Sequence, residues 1–289
     1  MRKKHYSGAS PLLLALVAAA PANAQTYPIH METPVPVGQL YAVTASGSKL
    51  LKTSADNRLA NAEDYQVSFQ GRAEVIEVDR SGQPFKVAFT VKSLSKTANG
   101  ETVDLVKPGT IILADGSLER PFSLKDGPVD QAVQDAFAVV YSAHKPNDVS
   151  DDDVFGSRTP RRIGESWPID AAKGMKSLAE NGLIIAEGHL NGTTSLVGKG
   201  KVGSSDCLNL RGEIKADGVS SKDFPPDVKV DEGSVQAVIH GCFPMAEAAL
   251  SYSGGAELSL LIRLVTADGV KLQVTSAQKM DETWIAIAK

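Results

Sequence analysis

The alternation of apolar and polar positions predicts a mainly β (α+β) protein built from antiparallel sheet. Large apolar side chains recur at every second position from Tyr65 to Val75, and again from Phe85 to Val91 after the polar turn at 79–84. This period places the apolar set on one face of each strand. The first strand is long and must bend, and Gly71 is its predicted bulge. The two strands form a long curved hairpin.

Weaker signals predict shorter β elements around this hairpin. Leu40, Ala42 and Thr44 predict one short strand, which a polar stretch follows through Asn61. The Asn99-Gly100 pair predicts a tight hairpin turn. A short buried strand is predicted over 111–113. The first half is therefore expected to be a meander.

One amphipathic helix is predicted at about 128–145. Its apolar positions recur at helical spacing: they are Val129, Val133, Ala136, Phe137, Val140 and Tyr141. Asp126 is the predicted N-cap, and Pro146 prevents further winding. We expect this helix to cover one face of the first sheet.

A second β-rich half follows a weak helix at 171–180, which Gly174 interrupts and Asn181-Gly182 ends. Strands are predicted over 183–186, 193–202, 207–214, 235–242 and 246–253. The clearest hairpin has alternating apolar positions from Leu258 to Leu264 and from Val270 to Val274. The segment 284–287, which begins with Trp284, is expected to close a sheet.

The first residues predict export. A positive start, an apolar run at 12–20 and the small-residue motif Ala22-Asn23-Ala24 describe a secretory signal peptide over 1–24. Its apolar run is too short to span a bilayer, and no transmembrane segment is expected after cleavage. The predicted location is periplasmic or extracellular. The rest divides into a proline-rich lead at 25–37, expected to be an extended linker, a first half at 38–157, a connector at 158–170 and a second half at 171–289.

The charge balance disfavours nucleic acid as a partner. The chain has 30 basic and 34 acidic residues. Removal of the signal peptide would take away basic residues alone, so the mature chain is more acidic still. A basic patch for nucleic acid or anionic lipid is therefore not expected.

Both cysteines, Cys207 and Cys242, lie in the second half. An oxidising compartment favours a disulfide between them, which would stabilise the fold by roughly 3 to 4 kcal/mol. The alternatives are a reactive thiol or a metal pair. His240 is the one potential metal ligand near Cys242 in the sequence, and a zinc site needs more ligands than these.

Familiar catalytic motifs do not occur in the sequence. It contains no Gly-x-Ser-x-Gly, no Ser-x-x-Lys with its partners and no His-Glu-x-x-His. His240 alternates with apolar residues, which is typical of a packed histidine. The acids from Asp148 to Asp153 suit either a calcium site or a solvated turn at a helix N-terminus. No catalytic residue, cofactor or metal is predicted, and ligand-binding residues are not assigned.

The connector contains the segment Pro160-Arg-Arg-Ile-Gly-Glu-Ser-Trp167. Gly164 permits a tight turn, and Glu165 is placed to accept backbone N–H bonds there. Trp167 is expected to bury its ring and pin the connector onto a sheet. The alternative is a tryptophan that binds a ligand.

This segment resembles the Pro-x-x-x-Gly-Asp/Glu-x-Trp segment of a family of uncharacterised exported bacterial proteins. A strand of the type found at 110–116, followed by a helix, precedes the segment in that family as it does here. Glutamate at Glu165 departs from the commoner aspartate. The resemblance implies a β-rich half on each side of the segment and implies no catalytic residue.

Together these features predict an exported, non-enzymatic binding or envelope-associated protein. By analogy with curved sheets that hold apolar ligands, the hairpin from Tyr65 to Val91 would line a groove for an apolar small molecule. One alternative is a hydrolase of envelope polymers, and another is a structural adaptor for an envelope protein. The oligomeric state is not predicted.

Overall fold

The protein is mainly β, as the alternation predicts. The structure, a computed structural model, describes residues 25–125, 127–180, 182–222, 224–225, 227–246 and 250–287. The predicted signal peptide at 1–24, the predicted cap Asp126 and the predicted helix-ending residue Asn181 lie outside the described residues. Within the described ranges, none of the helices combines the length and hydropathy needed to cross a bilayer.

The elements are numbered here in chain order. In the first half they are β1 (Thr26–Ile29), β2 (Leu40–Ala55), β3 (Arg58–Val78), β4 (Pro84–Ala98), β5 (Glu101–Asp104), β6 (Ile111–Asp115), β7 (Phe122–Leu124), β8 (Gly127–Pro128), α1 (Gln131–Val140) and α2 (Asp151–Phe155). From the connector onwards they are β9 (Ser157–Arg162), β10 (Ser166–Pro168), α3 (Ala171–Glu180), β11 (Leu183–Ile184), β12 (Leu190–Val202), β13 (Ser205–Asp217), β14 (Ser220–Ser221), β15 (Lys229–Pro244), β16 (Tyr252–Val265) and β17 (Lys271–Ile287).

One antiparallel sheet of 13 strands joins the two halves. Its order is β10-β12-β13-β15-β16-β17-β2-β3-β4-β6-β7-β8, and β5 pairs with β4. The halves meet where β17 pairs with β2, from Leu272 opposite Ala55 to Ile287 opposite Leu40. Two small sheets, β1–β9 and β11–β14, lie beside it. The two β-rich halves predicted from the sequence are thus consecutive parts of one sheet.

Different parts of the chain pack on the two faces of this sheet. Successive side chains of a strand point to opposite faces, so Glu282 and Trp284 of β17 share one face. We call this the covered face, because the helices and the N-terminal segment pack on it. Asp281 and Ile285 point to the other, which we call the opposite face; there Ile285 packs against the cysteines.

The first hydrophobic core lies between α1 and strands β2, β3, β4 and β17. The ring of Phe137 on α1 packs edge-on against Phe69 and Phe89, with centroids 5.3 and 5.2 Å apart. Each such pair contributes about 0.5–1.5 kcal/mol beyond the area it buries. The predicted bulge at Gly71 is present, because the β3–β4 register shifts between Gln70 and Gly71. This core confirms the hairpin and its covering helix.

The second core lies on the same face at the other side of the sheet. It is formed by β12, β13 and β15 under α2, the connector and the N-terminal segment. Phe155 of α2 lies over Gly212 of β13, where a Cβ would come within 2.7 Å of its ring. Trp167 is buried in this core. Both cores are therefore built on one continuous sheet face.

The prediction for residues 40–61 is wrong in two respects. β2 extends to Ala55 and β3 begins at Arg58, so the polar stretch is a long hairpin rather than a loop. In addition, Tyr41 and Val43 face the core, and the predicted Leu40, Ala42 and Thr44 do not. The polar ends remain in strands because β2 pairs along its length with β17 and β3. Backbone pairing, and not burial of side chains, holds these ends.

The covering helix is shorter than the predicted 128–145. It ends at Val140, and Tyr141 is extended, with φ −152° and ψ 127°. This conformation places the Tyr141 ring 4.7 Å from the ring of Phe89 and 5.9 Å from that of Trp284. The packing of an aromatic ring on the sheet therefore competes with a further turn of helix.

Three other predictions need correction. The proline-rich lead is not a free linker, because β1 pairs with β9 and buries Tyr27 and Ile29. The strand predicted over 246–253 is not confirmed: residues 246, 250 and 251 lie between β15 and β16, β16 begins at Tyr252, and 247–249 lie outside the described residues. The strand that contains Trp284 lies between β16 and β2 instead of at a sheet edge.

Candidate functional site

A cavity of about 320 Å³ lies on the covered face, at the seam between the two cores. Tyr41 and Trp284 line it from the first core and Met31 from the second. Strands β15, β16, β17 and β2 form its floor. Residues 31–35 and the segment from the end of α1 to the start of α2 form its cover. Its volume falls at the lower end of the range for small-molecule sites.

Glycines make room on the floor. Gly254 of β16 pairs with Glu282 of β17 on one side and with Gly241 of β15 on the other. The ring of Phe243 lies over Gly241, where a Cβ would come within 2.7 Å of it. Gly254 has no side chain to cover it in this way. The space beside the carboxyl group of Glu282 is therefore left open.

Glu282 is the polar centre of the cavity. Its Oε2 accepts a hydrogen bond of 2.7 Å from the Trp284 indole N–H, and its Oε1 lies 3.5 Å from the Tyr252 hydroxyl. Burial raises the pKa of the Glu282 carboxyl to about 7, although the hydrogen bonds from Trp284 and Tyr252 lower it. Among the described residues, no lysine, arginine or histidine forms an ion pair with Glu282. The group therefore titrates near neutral pH in an apolar setting.

Four aromatic rings stand around this carboxyl group. The Tyr252 and Trp284 rings are stacked, with centroids 5.8 Å apart and planes at 12°. Tyr41 meets Trp284 edge-on at 5.3 Å, and Tyr141 lies 5.9 Å from it. Burial raises the pKa of the Tyr41 hydroxyl to about 12, and those of Tyr141 and Tyr252 are also raised by burial. These tyrosines stay neutral at physiological pH.

A second acidic group lines the cavity from its cover. Oε1 of Glu32 accepts a hydrogen bond of 2.7 Å from the backbone N–H of Asp151, the first residue of α2. Burial raises the pKa of Glu32 to about 7, and the nearby Asp151 and Asp152 carboxylates add to the increase. Asp151 also lines the cavity, although this residue is exposed. Among the described residues, no lysine or arginine forms an ion pair with Glu32 or Asp151.

His144 also lines the cavity, but its ring is held by another partner. Its Nε2 lies 3.0 Å from Oδ2 of Asp79. Burial tends to raise the pKa of Asp79, but hydrogen bonds from Ser81, His144 and the Gln83 backbone outweigh it and leave the pKa well below its usual range. This pair fastens the end of the segment after α1 to the β3–β4 turn.

His240 is not packed in the core as the alternation predicts. Its side chain is 40% exposed on the opposite face, and Nε2 lies 3.2 Å from Oδ1 of Asp281. The two side chains meet across β16 because Gly255 lies between them: a Cβ there would come within 2.9 Å of the histidine ring and 2.6 Å of the carboxylate. A wider, more open hollow of about 600 Å³ adjoins this pair, and Asn209 and Arg211 also line it.

Of the connector residues singled out in the sequence, Trp167 lies in the second core, whereas Gly164 is exposed and Glu165 is half-buried; none of them lines the cavity. Gly164 has φ +88°, and Oε2 of Glu165 accepts a 2.9 Å hydrogen bond from the backbone N–H of Arg162. The Trp167 indole N–H donates to the carbonyl groups of residues 155 and 156, at 2.9 and 3.0 Å. The guanidinium of Arg161 lies 5.1 Å from the centre of the Trp167 ring. The segment is thus bonded at both ends to the body of the protein.

The predicted disulfide is confirmed. Cys207 on β13 and Cys242 on β15 are bonded on the opposite face, with their Cα atoms 5.2 Å apart. Val202 and Ile285 pack against the bridge. The disulfide therefore ties neighbouring strands together outside the cavity.

The acidic run at 148–153 leads into α2 and supplies its first turn, Asp151 to Asp153. The Ser150 hydroxyl caps the helix by accepting from the N–H of Asp153, and the side chain of Asp153 pairs with Lys173. Oδ1 of Asp152 accepts a 2.6 Å hydrogen bond from the N–H of Met31. In the part of the chain that the structure describes, no three acidic, histidine or cysteine side chains meet as a metal site would require.

Sequence reasoning missed the residues of the cavity. One signal could have found Glu282: the pattern of β17 places it between Met280 and Trp284 on an apolar face. Another is the Gly254-Gly255 pair inside a strand, which favours close approach of a backbone or ligand. The part played by Glu32 had no comparable signal, since it lies in a segment without periodicity.

No protein-family model and no curated protein matches the chain. Similar solved structures include an outer membrane channel from Pseudomonas putida F1, with 6% identity and a TM-score of 0.18, where the match covers 88% of this chain and 97% of that one. Others are OmpT of Vibrio cholerae without loop L8 (8% identity, TM-score 0.17, 82% and 98% covered) and Salmonella typhi OmpF in complex with daunomycin (9%, 0.14, 86% and 98%). Scores this low carry no argument about this protein's function.

Proposed function

We propose that this protein is exported and binds one compact, largely apolar small molecule in the cavity between its two cores. The observation that carries the proposal is the cavity itself, of about 320 Å³. Its wall is mostly apolar and aromatic, with acids and histidines among the polar groups, and small-molecule sites commonly combine an apolar wall with such groups. The predicted signal peptide and the disulfide support an oxidising location outside the cytoplasm.

The location of the cavity differs from the groove expected from the sequence. Val75 and Val87 of the long hairpin reach the cavity wall, but most of the hairpin's apolar side chains pack beneath α1. Strands β15–β17 and the N-terminal segment contribute the larger part of the wall. The ligand would therefore lie beside the helix and not under it.

Filling the cavity tests the proposal. Ala256 lines the cavity floor, so Ala256→Leu should occupy part of the space. Ala277 is on the adjacent strand and its side chain points to the opposite face, so Ala277→Leu is the matched control. The neutral dye N-phenyl-1-naphthylamine, whose fluorescence rises in apolar sites, serves as the probe, and native mass spectrometry of the purified protein detects a retained ligand.

We expect the wild-type protein and Ala277→Leu to bind one equivalent of dye, and Ala256→Leu to bind roughly 4- to 15-fold more weakly, because one or two buried methylene groups are lost to the ligand. Equal binding by both variants, or no stoichiometric binding by the wild-type protein together with no retained ligand, would refute the proposal.

A hydrolase is the second candidate, and one observation favours it. Glu32 and Glu282 line the same cavity with pKa values near 7, and a pair of carboxyl groups can act as acid and base on a glycosidic bond. Release of reducing sugar from envelope polysaccharide that disappears in both Glu32→Gln and Glu282→Gln would establish it. Within the described residues, neither cavity histidine is hydrogen-bonded to a serine or threonine hydroxyl, so a serine-type mechanism has no support.

A further inference from the structure

The cavity combines a half-buried acid, Glu282, with aromatic rings that have no cation beside them in the described part of the chain. Elsewhere in the chain, aromatic rings do attract cations: Lys96 lies over Tyr65, Arg161 over Trp167 and Lys199 over Tyr27. Among the described residues, no lysine or arginine lies over a ring that lines the cavity. The aromatic wall and Glu282 therefore offer negative potential that the protein itself leaves without a counter-charge.

The other charged groups around the cavity do not change this balance. Glu32 and Asp151 add two further acids. Two histidines reach the cavity, and each pairs with an aspartate that does not line it: His144 with Asp79, and His240 with Asp281. A buried carboxylate without a cation is costly, so a positively charged ligand would relieve a cost already present in the free protein.

We propose that the ligand carries a substituted ammonium group, and that Glu282 and the rings of Tyr252 and Trp284 bind that group. This inference rests on the proposed function, because it names the chemical class of the molecule in the same cavity. Aromatic rings bind ammonium groups through the negative potential of their faces. The carboxylate of Glu282, already oriented by Trp284, supplies the opposite charge. The apolar wall receives the rest of the molecule.

The test compares two probes of equal shape. Phenyltrimethylammonium is cationic, and tert-butylbenzene is its neutral analogue with carbon in place of nitrogen. Binding of both to the mature protein is measured by isothermal titration calorimetry at pH 8. We expect the cation to bind roughly 10- to 100-fold more tightly, the range for a charge-assisted contact in a desolvated site.

Two variants test whether Glu282 causes the preference for the cation. Glu282→Gln removes the charge and keeps the shape, and should reduce the preference for the cation to what the rings of Tyr252 and Trp284 alone provide, while binding of the neutral analogue is unchanged. Asp281→Asn makes the same change at the neighbouring residue, whose side chain pairs with His240 on the opposite face. This control should retain the preference. Circular dichroism of each variant checks that it is folded.

A pH series on the wild-type protein needs no variant. Affinity for the cation should rise from pH 5 to pH 8, by up to about tenfold per pH unit below the pKa of Glu282, while the neutral analogue shows no change. Neither probe titrates, so the dependence belongs to the protein. Glu32, Asp151, His144 and His240 also line the cavity and carry ionisable groups, and loss of the pH dependence in Glu282→Gln is the result that assigns it to Glu282.

The outcomes separate the two proposals. If the neutral analogue binds as tightly as the cation, the ammonium proposal is wrong, and the cavity remains a site for neutral ligands. If neither probe, the neutral dye nor a retained ligand occupies the cavity, both proposals fail. A preference for the cation that is undiminished in Glu282→Gln overturns the assignment of Glu282.

Discussion

Replacement of Glu282 by glutamine should change the pH dependence of folding. Burial raises the pKa of this carboxyl from 4.5 to about 7 in the folded protein. Below pH 4.5 the group is protonated in both the folded and the unfolded chain, and it carries no cost. As the pH rises to 7, the unfolded chain ionises first, so the folded protein loses stability. Above pH 7 the accumulated loss is about 3 kcal/mol, because each pH unit between the two values costs about 1.4 kcal/mol.

Glutamine cannot ionise, so Glu282→Gln should have nearly the wild-type stability at pH 4 and exceed it by up to about 3 kcal/mol at pH 8. The assay is urea unfolding followed by circular dichroism, on protein refolded from denaturant with its disulfide intact, so that no ligand is retained. The difference between variant and wild type at each pH removes the contributions of Glu32 and the other titrating groups. A difference that does not grow between pH 4 and pH 8 would refute the reasoning.

Three further predictions concern parts of the fold outside the cavity. Replacing both Cys207 and Cys242 by alanine should lower the free energy of unfolding by about 4 kcal/mol, the chain-entropy value for a loop of 35 residues; a reductant should then have no further effect. Trp167→Phe keeps an aromatic ring but leaves two buried carbonyl groups without the indole donor, and should cost about 1–2 kcal/mol in urea unfolding, whereas an unchanged value would contradict the pinning role. Gly164→Ala should lower the free energy of unfolding by about 1–2 kcal/mol, because φ is +88°, and steric clash does not contribute since a Cβ there meets nothing within 4 Å. Gly198→Ala, with equal space and no positive φ, should be nearly neutral. Equal effects at both positions would exclude backbone strain as the cause.

Elements with strong periodicity could be predicted from the sequence. Val87 and Phe89 alternate with polar residues because a single face of β4 is buried, and this pattern depends on neighbours along the chain. The turn at Asn99-Gly100, where both residues have positive φ, is encoded by residues that favour that conformation. The bulge at Gly71 is likewise marked by a glycine inside a strand. Such local information is sufficient for these elements.

The joining of the two halves could not be predicted in this way. β17 and β2 pair over their whole length although they are more than 200 residues apart in sequence, and no local pattern specifies that partner. Their polar ends, such as Lys52 opposite Thr275, alternate too weakly to indicate strands. The cavity depends on this pairing, because it brings Tyr41 of β2 beside Trp284 of β17.

Glu282 is an acidic residue on the covered face of β17, where its neighbours are apolar. These neighbours are Met280 and Trp284, and an apolar residue would fill this position at lower free-energy cost. Proteins retain such exceptions mainly at functional sites, at the expense of stability. A purely structural role for Glu282 predicts that its replacement by glutamine changes stability alone. A role in binding predicts effects of opposite sign from one substitution: the free protein becomes more stable at pH 8, and its affinity for an ammonium ligand falls.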